Sequence, residues 1–305
     1  MKRILVTGAT GFIGRAVLPL LAREGWEIQA VSSRIPSREA DGIHWRQCDL
    51  LNLEDARKLV KEAAATHWLH LAWYVKPGQY WNSPENFRWV TATLAMAEAF
   101  QAAGGKRLVA AGTCAEYDWN YGYCREDITP LTPGTVYGKS KNLLQQMLAA
   151  YGEARNLEVA WGRIFNLYGP HENMERLVPM AIHALLRGEP VPCTHGGQIR
   201  DFLHVDDVAS AFVQLVSSTA TGAFNVASNV PVAIRDILAV IAGRLSGQNL
   251  LRPGMMPAAA DDPPLVVGDN RRLCSLGWKP GIGLESGIAQ TVQWWKDRSK
   301  TAPDN

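Results

Sequence analysis

The stretch that most constrains the fold is residues 4–14, Ile-Leu-Val-Thr-Gly-Ala-Thr-Gly-Phe-Ile-Gly. Its apolar opening has the unbroken hydrophobicity of a strand buried on both faces. Gly8, Gly11 and Gly14 follow at a spacing of three, and residues 15–23 continue with helical periodicity. A strand, a tight glycine turn and a helix make a pyrophosphate site. Gly8 permits the turn, Gly11 lets a phosphate approach the backbone, and Gly14 lets helix and strand pack closely. The helix N-terminus adds free N–H groups and the positive end of its dipole. The spacing is G-x-x-G-x-x-G, not the G-x-G-x-x-G of the commonest dinucleotide fingerprint.

Strands keep alternating with helices to residue 113. Strand patterns cover 27–34, the stretch ending at 48–50, 68–73 and 106–113, with helical patterns at 53–65 and 84–103. This order predicts an α/β fold with a doubly wound parallel sheet. Ligands of such sheets sit beyond the carboxyl ends of the strands. The second strand ends in Ser32, Ser33 and Arg34, where NAD-binding folds carry an acidic residue for the ribose hydroxyls. Ser and Arg suit a 2′-phosphate, which favours NADP(H), with NAD(H) as the alternative; the plainer reading of Arg34 is a solvated loop residue. Asp49, followed by Leu50, either accepts from the adenine amino group or caps the helix over 53–65. The strand ending in Leu71, Ala72 and Trp73 should pass the nicotinamide. His70 reads as a core histidine rather than a catalyst.

Composition narrows the class. The net charge of +2 is spread over mixed acidic and basic residues, so no nucleic-acid or membrane partner is implied. No apolar run is long enough to span a bilayer, and the opening strand leaves no room for a signal peptide. Five scattered cysteines (Cys48, Cys114, Cys124, Cys193, Cys274) show no metal-binding pattern and suit a reducing cytoplasm. Of eleven tryptophans, Trp73, Trp81 and Trp119 fall among motif residues and are candidates for a pocket wall.

Residues 114–127 are polar, aromatic and rich in turn formers, and read as a substrate lid rather than a strand. Tyr137 and Lys141 then share one helical face within a helix over 133–155. A free tyrosine has a pKa near ~10, and bringing it to neutrality costs on the order of 4 kcal/mol. A partly desolvated ammonium on the same face can supply much of that.

These residues resemble the extended short-chain dehydrogenase/reductase superfamily, of the NAD-dependent epimerase/dehydratase type. The likeness covers nearly the whole chain. It rests on Thr7-Gly-Ala-Thr-Gly-Phe-Ile-Gly14, Asp49, His70-Leu-Ala72, Thr113 four before Tyr117, and Tyr137 with Lys141. Asn166-Leu-Tyr-Gly-Pro170, Arg200-Asp-Phe-Leu-His-Val-Asp-Asp-Val208 and Leu276-Gly-Trp-Lys-Pro280 complete it. The resemblance implies that Tyr137 is the general acid/base, that Thr113 hydrogen-bonds the reacting oxygen, and that Lys141 binds the nicotinamide ribose. It implies a cofactor held by Gly8, Thr10, Gly11, Phe12, Ile13 and Gly14. Around the substrate it implies Tyr74, Cys114, Ala115, Asn166 and Arg200, and it implies a homodimer through the helices over 84–103 and 137–155.

Three positions depart from the family pattern. Trp89 stands where these proteins usually carry Asn. The run 257–262 lacks the arginine that binds a substrate diphosphate in many members, leaving Arg200, with Arg252 as a substitute. Ala115 occupies the place of the acidic residue, two after the catalytic Thr, that a 4,6-dehydratase needs. Glu116 points elsewhere if this stretch stays extended. Cys114 and His171 are the nearby alternatives for proton transfer, and His171 reads more plainly as a turn residue.

Further on, a strand over 158–165 precedes a helix over 174–187 and a short edge strand at 188–192. Asp201 could hold Arg200 in a bidentate pair. Asp206 or Asp207 could cap the helix through 209–216. A last sheet strand at 222–226, a helix at 234–245, a loop-rich linker at 246–264 covering the substrate, and a helix at 285–295 complete the chain. The expected organisation is a Rossmann domain over 1–165, joined by 195–230, and a smaller interleaved substrate domain over 166–194 and 231–305. The expected activity is NADP(H)-dependent reduction of a nucleotide-linked 4-keto-6-deoxy hexose, in the cytoplasm and without a metal. The alternatives are a nucleotide-sugar epimerase, a reductase of a small carbonyl compound, and a catalytically silent nucleotide-binding regulator.

Overall fold

The computed structural model describes residues 2–34, 42–259 and 262–301. Residues 260 and 261 of the expected linker, and the polar tail 302–305, lie outside them. In chain order the elements are β1 (Arg3–Thr7), α1 (Phe12–Arg23), β2 (Glu27–Ser32), β3 (Ile43–Gln47), α2 (Leu53–Ala63), β4 (His67–His70), α3 (Glu85–Ala102) and β5 (Arg107–Thr113). Then come β6 (Tyr123–Cys124), α4 (Val136–Arg155), β7 (Glu158–Ile164), β8 (Asn166–Tyr168), α5 (Leu177–Leu186), β9 (Val191–Pro192), β10 (Ile199–His204) and α6 (Val205–Ser217). The last are β11 (Gly222–Val226), β12 (Pro231–Ala233), α7 (Ile234–Leu245), β13 (Leu251–Arg252), β14 (Leu265–Gly268), α8 (Arg271–Cys274) and α9 (Leu284–Thr301).

The large sheet has seven strands in the order β3-β2-β1-β4-β5-β7-β11. Every ladder in it is parallel. The order reverses beside β1, where doubly wound sheets bind their ligands. One face packs α1 and α6 on Ile4, Val6, Ile28 and Val109. The other packs α2, α3 and α4 on Leu5, Trp68, Leu108 and Trp161. Each such side chain, fully buried, contributes ~1.5–3 kcal/mol. Arg107, almost wholly buried, ties the sheet to the end of α6: it donates to the Leu215 carbonyl at 2.7 Å and the Ala220 carbonyl at 2.6 Å, and pairs with Glu158 at 2.8 Å. The Leu215 carbonyl is among the acceptors that the end of α6 leaves open.

A second sheet orders β12-β10-β14-β6, with β8 beside β10. Of the stretch 195–230 expected to join the Rossmann domain, β11 lies in the large sheet, whereas β10 pairs with β8, β12 and β14. A third apolar core joins α5, α7 and α9 through Ile182, Leu238, Ile241 and Trp295.

Several local expectations change. The stretch 114–127 is not a lid: it forms two single 3-10 turns and β6, with Ala115, Glu116, Tyr117 and Cys124 buried. Asn52, not Asp49, caps α2 by accepting from the Asp55 N–H at 3.4 Å, while Asp49 accepts from Leu51 N–H at 3.0 Å. His204 caps α6 in place of Asp206 or Asp207; Asp207 instead accepts from the Gly281 and Ile282 amides, at 2.9 Å each.

Candidate active site

The turn between β1 and α1 carries the geometry that its glycines imply. Gly8 has a φ of +77°, and a Cβ there would stand 2.7 Å from the Ala72 nitrogen. A Cβ on Gly14 would come within 2.3 Å of the Gly8 carbonyl oxygen. The opposing atoms are backbone and cannot swing away. Gly11 is the N-cap of α1, and no side chain caps that end. The first helical N–H groups are thus left for an anionic ligand, so this cradle fits a dinucleotide pyrophosphate.

A cavity of about 480 Å³ opens from this turn across the ends of β2, β4 and β5. Gly8, Thr10, Gly11, Phe12, Ile13, Gly14, Ser32, Ser33, Asp49, Leu50, Leu71, Ala72, Trp73, Tyr137 and Lys141 all line it. Arg34 does not; it is exposed beside the rim, its N–H donating to Ser32 Oγ at 3.2 Å. Ser32 also meets Thr10 Oγ1 at 2.9 Å.

The far end is built around Tyr137. Thr135 caps α4 by accepting from the Gly138 N–H at 3.1 Å, which starts the helix beside the cavity. Burial raises the Tyr137 pKa, and its hydrogen bond with Thr113 works against that rise. Lys141 does not turn its ammonium to the phenol. Nζ donates to the Ala111 carbonyl at 2.8 Å and sits 3.7 Å from the centre of the Trp73 ring. Burial lowers the Lys141 pKa to about 7. In this arrangement the tyrosine keeps its proton, so the expected lowering of its pKa by Lys141 is not built into the chain alone.

Glu116 points away from the cavity, but for a different reason than alternation along a strand. Residues 114–116 form a 3-10 turn capped by Thr113. The carboxylate is fully buried; it pairs with Arg163 at 2.7 Å and accepts from Trp161 Nε1 and the Thr113 N–H, both at 2.9 Å. It therefore holds Thr113 from behind.

The walls near Tyr137 are aromatic. Tyr80 lines the cavity edge-on to Tyr137 at 4.9 Å, whereas of the tryptophans expected in a pocket wall only Trp73 lines it: Trp81, 5.8 Å from Tyr137, and Trp119, 6.3 Å beyond Trp81, lie outside the lining. Trp89 lies 6.0 Å from Trp73, whose indole N–H is fixed by Asn86 at 2.9 Å. Tyr74 and Ala115 pack in the same cluster. Cys114 is a thiol whose pKa burial pushes up. Asn166 lies in the β8–β10 ladder opposite Phe202, outside the cavity lining. Arg200 also lies outside it and pairs with Asp262, whereas Asp201 accepts from Ser228, Asn229 and Gly268; the expected Arg200–Asp201 fork is not formed. Arg252 is exposed and donates to the Asn249 and Leu251 carbonyls. His70 is a satisfied core residue held between Thr7 at 2.7 Å and Thr93 at 3.0 Å, with burial lowering its pKa to about 3.

Reasoning from sequence missed Tyr80, Glu172, Asn173 and Arg176, all of which line the cavity. The last three follow directly on the Asn166–Pro170 motif, and that adjacency was the available signal.

The model of the NAD dependent epimerase/dehydratase family matches residues 4–227. UDP-glucuronic acid decarboxylase 1 of Danio rerio is 28% identical, over 96% of this chain and 72% of that protein. The UDP-glucose 4-epimerase of Mycolicibacterium smegmatis is 27% identical, over 98% of this chain and 100% of that protein. Among solved structures, MoeE5 in complex with UDP-glucuronic acid and NAD is 30% identical with a TM-score of 0.85, over 97% of this chain and 99% of that one.

Proposed function

The chain belongs to the NAD-dependent epimerase/dehydratase family, and on that premise we propose that it is a nucleotide-sugar 4-epimerase. One observation carries the reading: Tyr137 and Lys141 line the cavity end, Thr113 hydrogen-bonds Tyr137 there, and Ala115 stands where elimination needs an acid. The bound nicotinamide would accept and return a hydride. The chain's own residues manage the proton and the geometry. Tyr137, which the chain alone keeps protonated, would first release its proton to solvent beside the positively charged oxidised cofactor; the phenolate then takes the proton of the sugar hydroxyl and gives it back to the ketone oxygen. Thr113 steadies that oxygen, and Lys141 holds the cofactor ribose. Inversion at the carbonyl carbon needs this one proton carrier, serving both directions. The need for two carriers on opposite faces applies to epimerisation beside the ketone. The relatives include 4-epimerases, which supports this reading over the reductase expected from sequence.

A second reading, NADPH-dependent reduction of a nucleotide-linked 4-keto-6-deoxy hexose, is favoured by the end of β2. Ser32, Ser33 and Arg34 place no carboxylate there to repel a 2′-phosphate. Two incubations decide. UDP-glucose with NAD should give the C4 epimer without net cofactor reduction. The keto sugar with NADPH should consume NADPH only if the second reading holds. Water loss from the hexose, or turnover of simple ketones alone, would overturn both. We also propose a homodimer through α3 and α4, a reading supported by the exposure of Phe87, Leu143 and Met147 on them. A monomeric mass by sedimentation at micromolar concentration would contradict it.

A further inference from the structure

We propose that Glu172 is a ligand-binding residue, whose carboxyl takes a hydrogen-bond donor, an amide N–H or a hydroxyl, from the bound cofactor or the bound sugar. The proposal rests on reading the cavity as the nicotinamide and sugar site. Glu172 is 7% exposed and lines that cavity, and its Oε2 has no hydrogen-bond partner among the described residues. A buried carboxyl oxygen without a partner is costly, and folded proteins keep few of them. The turn that presents it is itself strained: His171 has a φ of +72°, uncommon for a residue with a side chain, and its ring is anchored on Trp294 at 4.5 Å. Cost without compensation inside the chain is what a ligand would relieve.

The surroundings fit a donor. Arg176 and the Gly169 backbone pull the Glu172 pKa down, but burial outweighs both and raises it to about 8. A carboxyl that is protonated near neutrality can accept from one ligand group and donate to another. Arg176 also reaches the hydroxyl of Tyr80, whose ring stands 4.9 Å from Tyr137. The carboxyl thus belongs to the reacting end of the cavity.

The test uses the full-length chain with Glu172→Leu and Glu172→Gln. Leucine removes the unpaired group, so the ligand-free protein should melt at a higher temperature while losing ligand affinity; glutamine should keep most of the affinity. Dissociation constants for NADH and NADPH come from tryptophan quenching, and that for UDP-glucose from calorimetry. A tenfold or greater weakening of the cofactors in Glu172→Leu assigns the donor to the cofactor. The same loss confined to UDP-glucose assigns it to the sugar. All three constants within twofold of the unaltered protein would overturn the proposal, as would a lower melting temperature in both variants with binding unchanged. None of these readouts needs turnover, so failure of the epimerase reading would be seen separately.

Discussion

The phosphate end of the cavity is made of backbone, and the end around Tyr137 is made of side chains. At the first, seven consecutive residues from Gly8 to Gly14 supply the turn, and its tolerances are backbone contacts that a Cβ would violate. At the second, Trp73 and Tyr80 from the connection between β4 and α3, Tyr137 from α4 and Glu172 from beyond β8 meet through rings and single polar atoms. Backbone cannot yield without moving β1 and α1 together, whereas rings can shift by fractions of an ångström. The phosphate end should therefore respond to substitution as a switch. The Tyr137 end should respond by degrees, except at the atom that moves the proton.

That exception gives the largest expected effect. Tyr137→Phe removes only the phenol oxygen, so kcat should fall by up to ~10⁴-fold, about 5 kcal/mol, with cofactor affinity held. Retention of most activity in steady-state assays would remove Tyr137 from the chemistry and leave the aromatic end purely architectural.

Next is Gly14→Ala, which drives a methyl into the Gly8 carbonyl. It should cost ~3–4 kcal/mol of stability and abolish cofactor binding. Gly134→Ala, where a Cβ meets nothing within 4 Å, is the control and should change neither. Equal melting temperatures for the two variants would show the phosphate end to be as pliant as the other.

Arg34→Ala tests the rim at the end of β2, on the other side of the phosphate turn from Tyr137. A lost charge-assisted contact is worth ~1.5–3 kcal/mol, so the NADP dissociation constant should rise about ten- to a hundredfold while that for NAD stays put. Equal weakening of both by titration would sink the 2′-phosphate role.

The smallest effect is a stability slope. Lys141 is buried, and its folded pKa of about 7 lies below the ~10.4 of an unfolded lysine. Between those values the unfolded chain binds the extra proton, so stability rises with pH. Relative to Lys141→Met, the natural chain should gain about 2 kcal/mol from pH 7 to 9 in urea titrations. A flat difference would mean that the Trp73 ring keeps the ammonium charged, making the side-chain end stiffer than its burial suggests.

The amino-acid sequence by itself determined the order of strands and helices, the glycine turn and the shared face of Tyr137 and Lys141. These follow from neighbours within a few residues: apolar periodicity, positive φ at Gly8 and the i, i+4 spacing of a helix. Only the tertiary structure decided the rest. It gave Arg200 to Asp262, 62 positions away, rather than to the adjacent Asp201. It turned Glu116 inward to Arg163, 47 positions on, and made 114–127 a packed segment instead of a lid. It brought Trp73 under Lys141 and set Glu172 in the cavity with an oxygen unmatched. Local pattern says which groups are polar or apolar. Which partner a charge finds, and how much water it keeps, depends on chain crossings that no short window of sequence contains.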